Sequence, residues 1–462
     1  MRAILSLALA FTVSGASGQA AALDLKDPIP DNLTSHGVTV YGTIDIGYAY
    51  QSHGAKLDST FPQSLEYNIW GAKNAGKPVW SLDAGALERP GVGVKIEEPL
   101  GGGWTAIGKL DTSFNPLSGQ LVDGPASLLR NYGVPLDQQT ANGDSNRAGQ
   151  FLSGVAYGGI SNSSYGTLTA GRQQTLNYDQ LVEYGPWMRS YAFGTRGYSA
   201  SFSGSGDTEA ARWDQSVRYL YKYGAVHAAA QYAGGGPGTG FFGNAYEFNA
   251  GATYGGFSAD AIYQRVDSVI SASAASSTSL KATVSDNQSW AGAMRYTMGL
   301  GASAIDGATD DKLTFYLGYE YISLANPHAD ANAFIGSTGQ GGYLISKVVA
   351  NRYQTNKVLQ LTWAGAKYDL GAKWSFAAGF YHVDQGAYST DSDNAKIPSL
   401  GIKTAANSAG SYNDASFVAD YQLTKHFDVY AGVNYSMLDG GLASGYLNNN
   451  MTTVATGVRL KF

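Results

Sequence analysis

The sequence predicts an all-β chain, a transmembrane antiparallel β-barrel, and three features carry that expectation. The first is the carboxyl terminus, where Thr453 to Phe462 alternate with Val454, Val458, Leu460 and Phe462 on one face. A strand with one face in lipid and the other in water changes polarity at every residue, whereas a helix shows a period near 3.6. The second is the amino terminus. Arg2 precedes the apolar run Ala3 to Val13 and the small residues Ser14 to Ala22, the pattern of a cleaved secretory signal peptide over residues 1–22. That apolar core falls short of the roughly 20 residues a helix needs to cross a bilayer, and no later stretch reaches about 18 consecutive apolar residues. The third is a set of long period-two runs separated by alternately short and long connections.

Residues 23–37, with Pro28, Pro30 and Gly37, read as an irregular lead-in to a single barrel domain over residues 38–462. From Val38 to Tyr50, Val38, Val40, Ile44, Ile46 and Tyr48 oppose Thr39, Thr43, Asp45 and Ala49, a run too long for an ordinary globular strand. Val92, Val94 and Ile96 oppose Gly93, Lys95 and Glu97; after Gly101 to Gly103, Trp104, Ala106 and Leu110 oppose Thr105, Lys109 and Asp111, which makes a hairpin. Val217, Tyr219 and Tyr221 against Arg218 and Lys222 repeat the pattern, as do Trp290, Met294 and Tyr296 against Arg295. Phe315, Leu317 and Tyr319 against Thr314 and Glu320 continue it, and so do Phe417 to Tyr435 around a turn at Thr424 to His426. Between Val358 and Leu370 the phase conflicts, because Leu359, Leu361 and Trp363 disagree with Ala366, Tyr368 and Leu370. A β-bulge would reconcile them.

Long polar connections are expected at residues 51–87, 112–150, 173–211, 267–287, 323–356, 384–414 and 437–451. Long loops on one side and short turns on the other match an outer-membrane barrel with its long loops outside the cell. Composition agrees. Gly 60 and Tyr 32 among 462 residues suit tight turns and wet aromatic rims. The mean hydropathy of −0.18 is no objection, since barrel strands average an apolar and a polar face. The absence of cysteine excludes disulfides, thiolate metal sites and cysteine nucleophiles. A net charge of −6, or −7 without Arg2, gives no electrostatic case for nucleic acid.

Several segments resemble the general diffusion porins of the Gram-negative bacterial outer membrane: Val38 to Tyr50, Gly91 to Asp111, Tyr165 to Gln173, Arg212 to Gly224 and the final strand. The resemblance implies 16 strands, although the roughly 440 residues left after removing 22 of the 462 also allow 18. It further implies a homotrimer set in lipid and lipopolysaccharide, built by a barrel assembly machinery that reads Val458, Leu460 and Phe462. A third extracellular loop folded into the lumen is expected between Arg172 and Arg212. Its sequence permits that role, mixing Asp179, Glu183, Asp207 and Glu209 with Tyr184, Trp187, Tyr191 and Phe193. The chain also departs from the family: Glu88, Arg89, Pro90 stand where a Ser-Arg pair usually opens the second strand, and Glu183 to Trp187 replace the usual Pro-Glu-Phe-Gly turn of the inserted loop.

Strand parity then assigns a mechanism. Arg89, Lys95, Arg212 and Arg218 line the wall opposite the loop carboxylates Asp179, Glu183 and Asp207, and set up a transverse field in a narrow aqueous passage. Arg172 shares the parity of Leu168 and Ala170, so it reaches the pore only if the strand bulges near Gly171. The function expected is passive diffusion of small hydrophilic solutes and ions, without catalysis, cofactor or metal. A channel selective for sugars, amino acids or carboxylates is the alternative, ahead of an outer-membrane enzyme or an adhesin. The glycine run Gly234 to Gly240 lacks the Gly-Lys-Ser/Thr of a phosphate loop, and Asp391 to Asn394 lack the glutamate of an EF-hand. Six histidines show no paired zinc spacing.

Overall fold

The computed structural model describes residues 33–54, 77–119, 121, 132–135, 151–187, 190, 192–194, 208–236, 239–303, 305–307, 310–337, 344–348, 353, 355–388, 408–444 and 446–462. The signal peptide, most of the lead-in, Tyr191, Asp207 and Asp391 to Asn394 lie outside these residues.

Period-two alternation builds the wall. Its strands are β1 (Val38–Gly54), β2 (Lys77–Ala84 and Gly91–Gly101), β3 (Trp104–Ser113), β4 (Ala156–Asn162), β5 (Gly166–Gln174) and β6 (Arg212–Tyr223). They continue as β7 (Val226–Gly234), β8 (Asn244–Tyr254), β9 (Phe257–Ala274), β10 (Leu280–Ala302) and β11 (Asp310–Ala325). The last are β12 (Lys357–Leu370), β13 (Trp374–Gln385), β14 (Gly410–Gln422), β15 (Phe427–Gly440) and β16 (Asn450–Lys461). Each pairs antiparallel with its sequence neighbour, and β16 returns to β1 from Thr453↔Gln51 to Lys461↔Thr43, closing a 16-stranded barrel with no open edge.

Outward residues are the expected apolar set, including Val40, Tyr48, Val217, Tyr219, Phe248, Trp290, Leu317, Phe417 and Val458, all exposed on a lone barrel. Aromatic contacts gather toward the strand ends, with ring centroids 4.3 Å apart for Tyr263 and Trp290 and 4.6 Å for Trp374 and Tyr421, as suits the two membrane interfaces. The tightest expected turn, Gly101 to Gly103, holds three consecutive positive φ angles of 85°, 58° and 80°, a conformation side-chain-bearing residues resist.

Several expectations change in the structure, among them the loop expected at 51–87, where Lys77–Ala84 is strand paired with β1. The lead-in is not wholly irregular, since Thr34–Ser35 fold back as a short strand on Val38 and Thr39 of β1. No bulge interrupts β12: its register runs unbroken against both β11 and β13. Leu359, Leu361 and Trp363 all point inward and are buried, because the lumen beside them is filled with protein rather than water. The expected loop 267–287 is mostly strand. There β9 and β10 continue past the rim, and Ile345–Val348 adds parallel to the start of β10. Ile270, Leu280, Val284, Phe334, Ile345 and Val348 form a second small core under this extension.

Candidate functional site

The filling comes from the segment after β5. Thr175 caps a short helix, α1 (Leu176–Glu183), by accepting the Tyr178 amide at 3.1 Å while donating its hydroxyl to the Ala210 carbonyl at 2.8 Å. A wall carboxylate completes the cap: Glu247 of β8 accepts the amides of Leu176 at 2.6 Å and Asn177 at 3.2 Å. First-turn amides have no partner within a helix, so these wall oxygens satisfy them.

From there the segment crosses the barrel on a series of wall contacts. Asn177 donates to Glu320 of β11 at 2.8 Å, and Gln180 to the Asp260 carbonyl of β9 at 3.1 Å. The Tyr184 hydroxyl lies 2.8 Å from Ser258 Oγ, and the Trp363 indole of β12 donates to the Tyr184 carbonyl at 2.9 Å. Trp187 donates to Ser416 of β14 at 2.6 Å, and Ser416 to the Phe193 carbonyl at 2.6 Å. Each buried hydrogen bond is worth about 1 kcal/mol net and more if its partner is orphaned. Glycines make room underneath: a Cβ on Gly365 would lie 2.5 Å from Pro186 Cγ. Burial also pushes the Tyr184 phenol well above its ordinary pKa, so it serves as a neutral hydroxyl.

The charged groups expected to face one another across a passage are partly in contact instead. Arg218 of β6 pairs with Asp179 at 2.7 Å, and Arg295 of β10 pairs with Glu183 at 2.6 Å with its guanidinium 5.9 Å from the Tyr184 ring. Arg172 meets the condition set for it, because the β5–β6 register shifts between Gly171 and Gln173. The shift turns Arg172 to the Gly154 and Ser153 carbonyls, both at 2.8 Å, and to Asp214 at 2.5 Å. It is buried there. Glu209 is also buried.

Arg89 and Arg212 come together from elements distant in sequence. With Lys109, Glu88, Asp111, Tyr41, Gln174 and Tyr178 they line a cavity of about 110 Å³ between α1 and the wall of β1 to β6. Lys95 sits nearer the short-turn end, its ammonium 5.5 Å from the Tyr41 ring that Lys109 approaches to 5.3 Å. Below α1 a larger cavity of about 750 Å³ is lined by Glu183, Lys312, Lys367, Lys373, Asp420, Asp428, Arg459 and Lys461, among others. Arg459 gathers Asp428 at 3.0 Å, Asp420 at 3.2 Å and Glu88 at 3.8 Å.

Arg295, Arg459 and Lys109 are site residues that sequence reasoning did not single out. All three sit on the polar parity of their strands, and that parity was the available signal. Val458 and Leu460 of β16 lie in the closing strand, and the Phe462 ring lies against Gly42, where a Cβ would be 2.5 Å from it.

A closed antiparallel barrel with an apolar outside, a charged lumen and a segment folded across it defines an outer-membrane channel. The chain belongs to the Gram-negative porin family, whose model matches residues 5–441, and it is a bacterial outer-membrane channel for passive diffusion. No curated protein sequence matches it. Among solved structures it is similar to an anion-selective porin from Comamonas acidovorans at 15% identity and a TM-score of 0.55, covering 92% of this chain and 99% of that one. The trimer form of OmpT from Vibrio cholerae matches at 13% identity and 0.53, over 92% and 99% of the two chains. The outer membrane channel DcaP of Acinetobacter baumannii matches at 13% and 0.52, over 93% and 99%. At these identities the likeness is one of fold.

Proposed function

We propose that the channel is a general diffusion pore with a mild preference for small hydrophilic anions. One observation carries this reading: two inserted-segment carboxylates, Asp179 and Glu183, are neutralised in contact with wall arginines. The remaining gap by α1 is lined by three cations, Arg89, Lys109 and Arg212, against two carboxylates, Glu88 and Asp111. Selectivity follows the charges at the narrowest point more than total charge, so the negative net charge of the chain does not decide it.

On this reading Arg89, Lys95, Arg212 and Arg218 form the basic wall, and Asp179 and Glu183 work as pinned counter-charges. Arg172 shapes the wall beside them, and Asp207 is assigned to the acidic side of the loop by sequence. The pore acts by binding and electrostatics alone, with no covalent chemistry. Residues 1–22 act as a cleaved leader, and Val458, Leu460 and Phe462 as the assembly signal. A homotrimer is the proposed state, in keeping with the trimer form of the similar Vibrio cholerae protein. Reversal potential across a potassium chloride gradient, measured on refolded protein in a planar bilayer, tests the preference. A potential of the sign set by chloride is expected; one set by potassium overturns the anion reading while leaving the channel intact.

A further inference from the structure

Between its two pieces β2 leaves the wall. Lys77–Ala84 pairs with the upper part of β1, Gly91–Gly101 with the lower part, and residues 85–90 turn into the lumen. Backbone amides that leave a sheet need other acceptors, and one side chain supplies them. Asp45, on the inner face of β1, is fully buried. Its Oδ2 accepts the amides of Leu87 and Glu88, both at 2.9 Å, and its backbone carbonyl accepts the Gly85 amide at 2.9 Å.

The same carboxylate is held from the far side of the barrel closure. Tyr430 of β15 donates its hydroxyl to Asp45 Oδ1 at 2.6 Å, passing over β16 to reach β1. The strands under the phenol carry glycine: a Cβ on Gly457 would lie 2.3 Å from the Tyr430 oxygen, and one on Gly47 3.2 Å from it. The excursion in turn holds the inserted segment at Ser190. Ser190 donates to the Ala86 carbonyl at 2.7 Å and accepts the Phe193 amide at 3.0 Å.

We propose that Asp45 is a positioning residue of the pore. Through Tyr430 and the Gly85–Pro90 excursion it ties the Ser190–Phe193 part of the inserted segment to the strands that close the barrel, and so keeps the open state narrow and quiet. This rests on the reading that the inserted segment bounds the passage. Asp45 touches no solute; it acts through Ala86, Ser190 and the placement of Arg89.

Two readouts test it, one independent of conduction. In single-channel recordings, Asp45→Ala and Ser190→Ala should each raise the frequency of brief closures at least about tenfold, the size expected for losing one buried hydrogen bond to a charged or well-ordered group, with Asp45→Ala, which loses three, the larger. Asp45→Asn should fall between, because its carboxamide oxygen can still accept an amide, and Tyr430→Phe should show the smallest rise. In parallel, Ala192→Cys, buried in the wild type and unique in a chain without cysteine, should react with a maleimide about tenfold faster in the Asp45→Ala background. A cysteine at buried Ala233 of β7 should stay protected, which a general loosening of the barrel would not allow. Should Asp45→Ala fail to fold, Ser190→Ala carries both readouts. Unchanged closures and unchanged Ala192→Cys labelling in folded protein overturn the tether. A wild-type protein that does not conduct overturns the pore reading, while the labelling still decides the tether.

Discussion

Along β8 to β14 the long-loop half of the inner face is covered by the inserted segment; along β2 to β6 and the short-turn half of β16 more of it stays open to the passage. The two arcs have the same pleat and are made by the same alternation, yet their inward residues differ in kind. The covered arc presents Trp363, Leu359 and Leu361, with buried Glu247 accepting two amides of α1 and buried Glu320 accepting the Asn177 side chain. Lys95, Lys109, Asp111, Arg218 and Arg459 belong to the open arc. Inward therefore has two meanings in one barrel, core on one side and pore on the other. Substitutions on the first should cost stability, and on the second selectivity.

The largest test of that division is Trp363→Ala. The indole is 1% exposed and donates to the Tyr184 carbonyl, and truncating a buried Trp costs about 3–5 kcal/mol. Urea unfolding of the refolded barrel should show that loss. Arg212→Gln on the open arc should stay within about 0.5 kcal/mol of the wild type and move the reversal potential toward potassium. Equal stability losses from the two variants would erase the distinction between the arcs.

At the boundary, Arg295→Gln should have a smaller effect. Its side chain is 34% exposed and that of Glu183 48%, so the pair is screened and is worth about 0.2–1 kcal/mol. The difference from wild type should shrink between roughly 0.05 and 0.5 M salt, where the Debye length falls from above 10 Å to a few ångströms. A salt-independent loss above about 2 kcal/mol would place this pair in the covered core.

The comparison also explains what the sequence could show. On the lipid side parity was sufficient, because Val217, Tyr219, Trp290 and Leu317 meet one uniform solvent. The inward placement of Lys95 and Arg218 was legible for the same reason, since both hold the polar parity of their strands. On the covered arc the code inverted: Leu359, Leu361 and Trp363 face inward because Tyr184 and Pro186 fill the lumen there, and a single sequence shows no sign of what lies across a barrel. Contact pairs were hidden likewise. Arg295 and Glu183 are more than a hundred residues apart, and their meeting depends on the path of α1. The strand extension over residues 267–287 was misread from its serine-rich composition, since Ile270, Leu280 and Val284 find their core against Phe334 and Ile345, and Val269 finds its own against Trp213 and Phe241.

The smallest expected effect lies at the outer margin of the covered arc, where β9 and β10 rise past the rim. His328, in the connection after β11, has Nδ1 2.7 Å from Asp286 Oδ2, and its amide donates to the same oxygen at 3.2 Å. Arg265 and Asp267 face the same group, Arg265 lying 3.7 Å from Asp286. The hydrogen bond and the negative charge of Asp286 raise the His328 pKa above its ordinary value. A raised folded-state pKa stabilises the charged form, so the contribution is complete below about pH 6.5, the unfolded value, and fades as pH climbs through the folded one. Because the imidazole is mostly exposed, the result should be local. Amide exchange over residues 326–334, corrected for its intrinsic pH dependence, should quicken between about pH 6 and pH 8, and His328→Ala should flatten that rise. Exchange in α1 should not follow it, since Glu247 and Trp363 anchor the covered arc from within; a matching rise in α1 would mean that the rim and the lumen open together, and that the covered arc is one cooperative unit out to its edge.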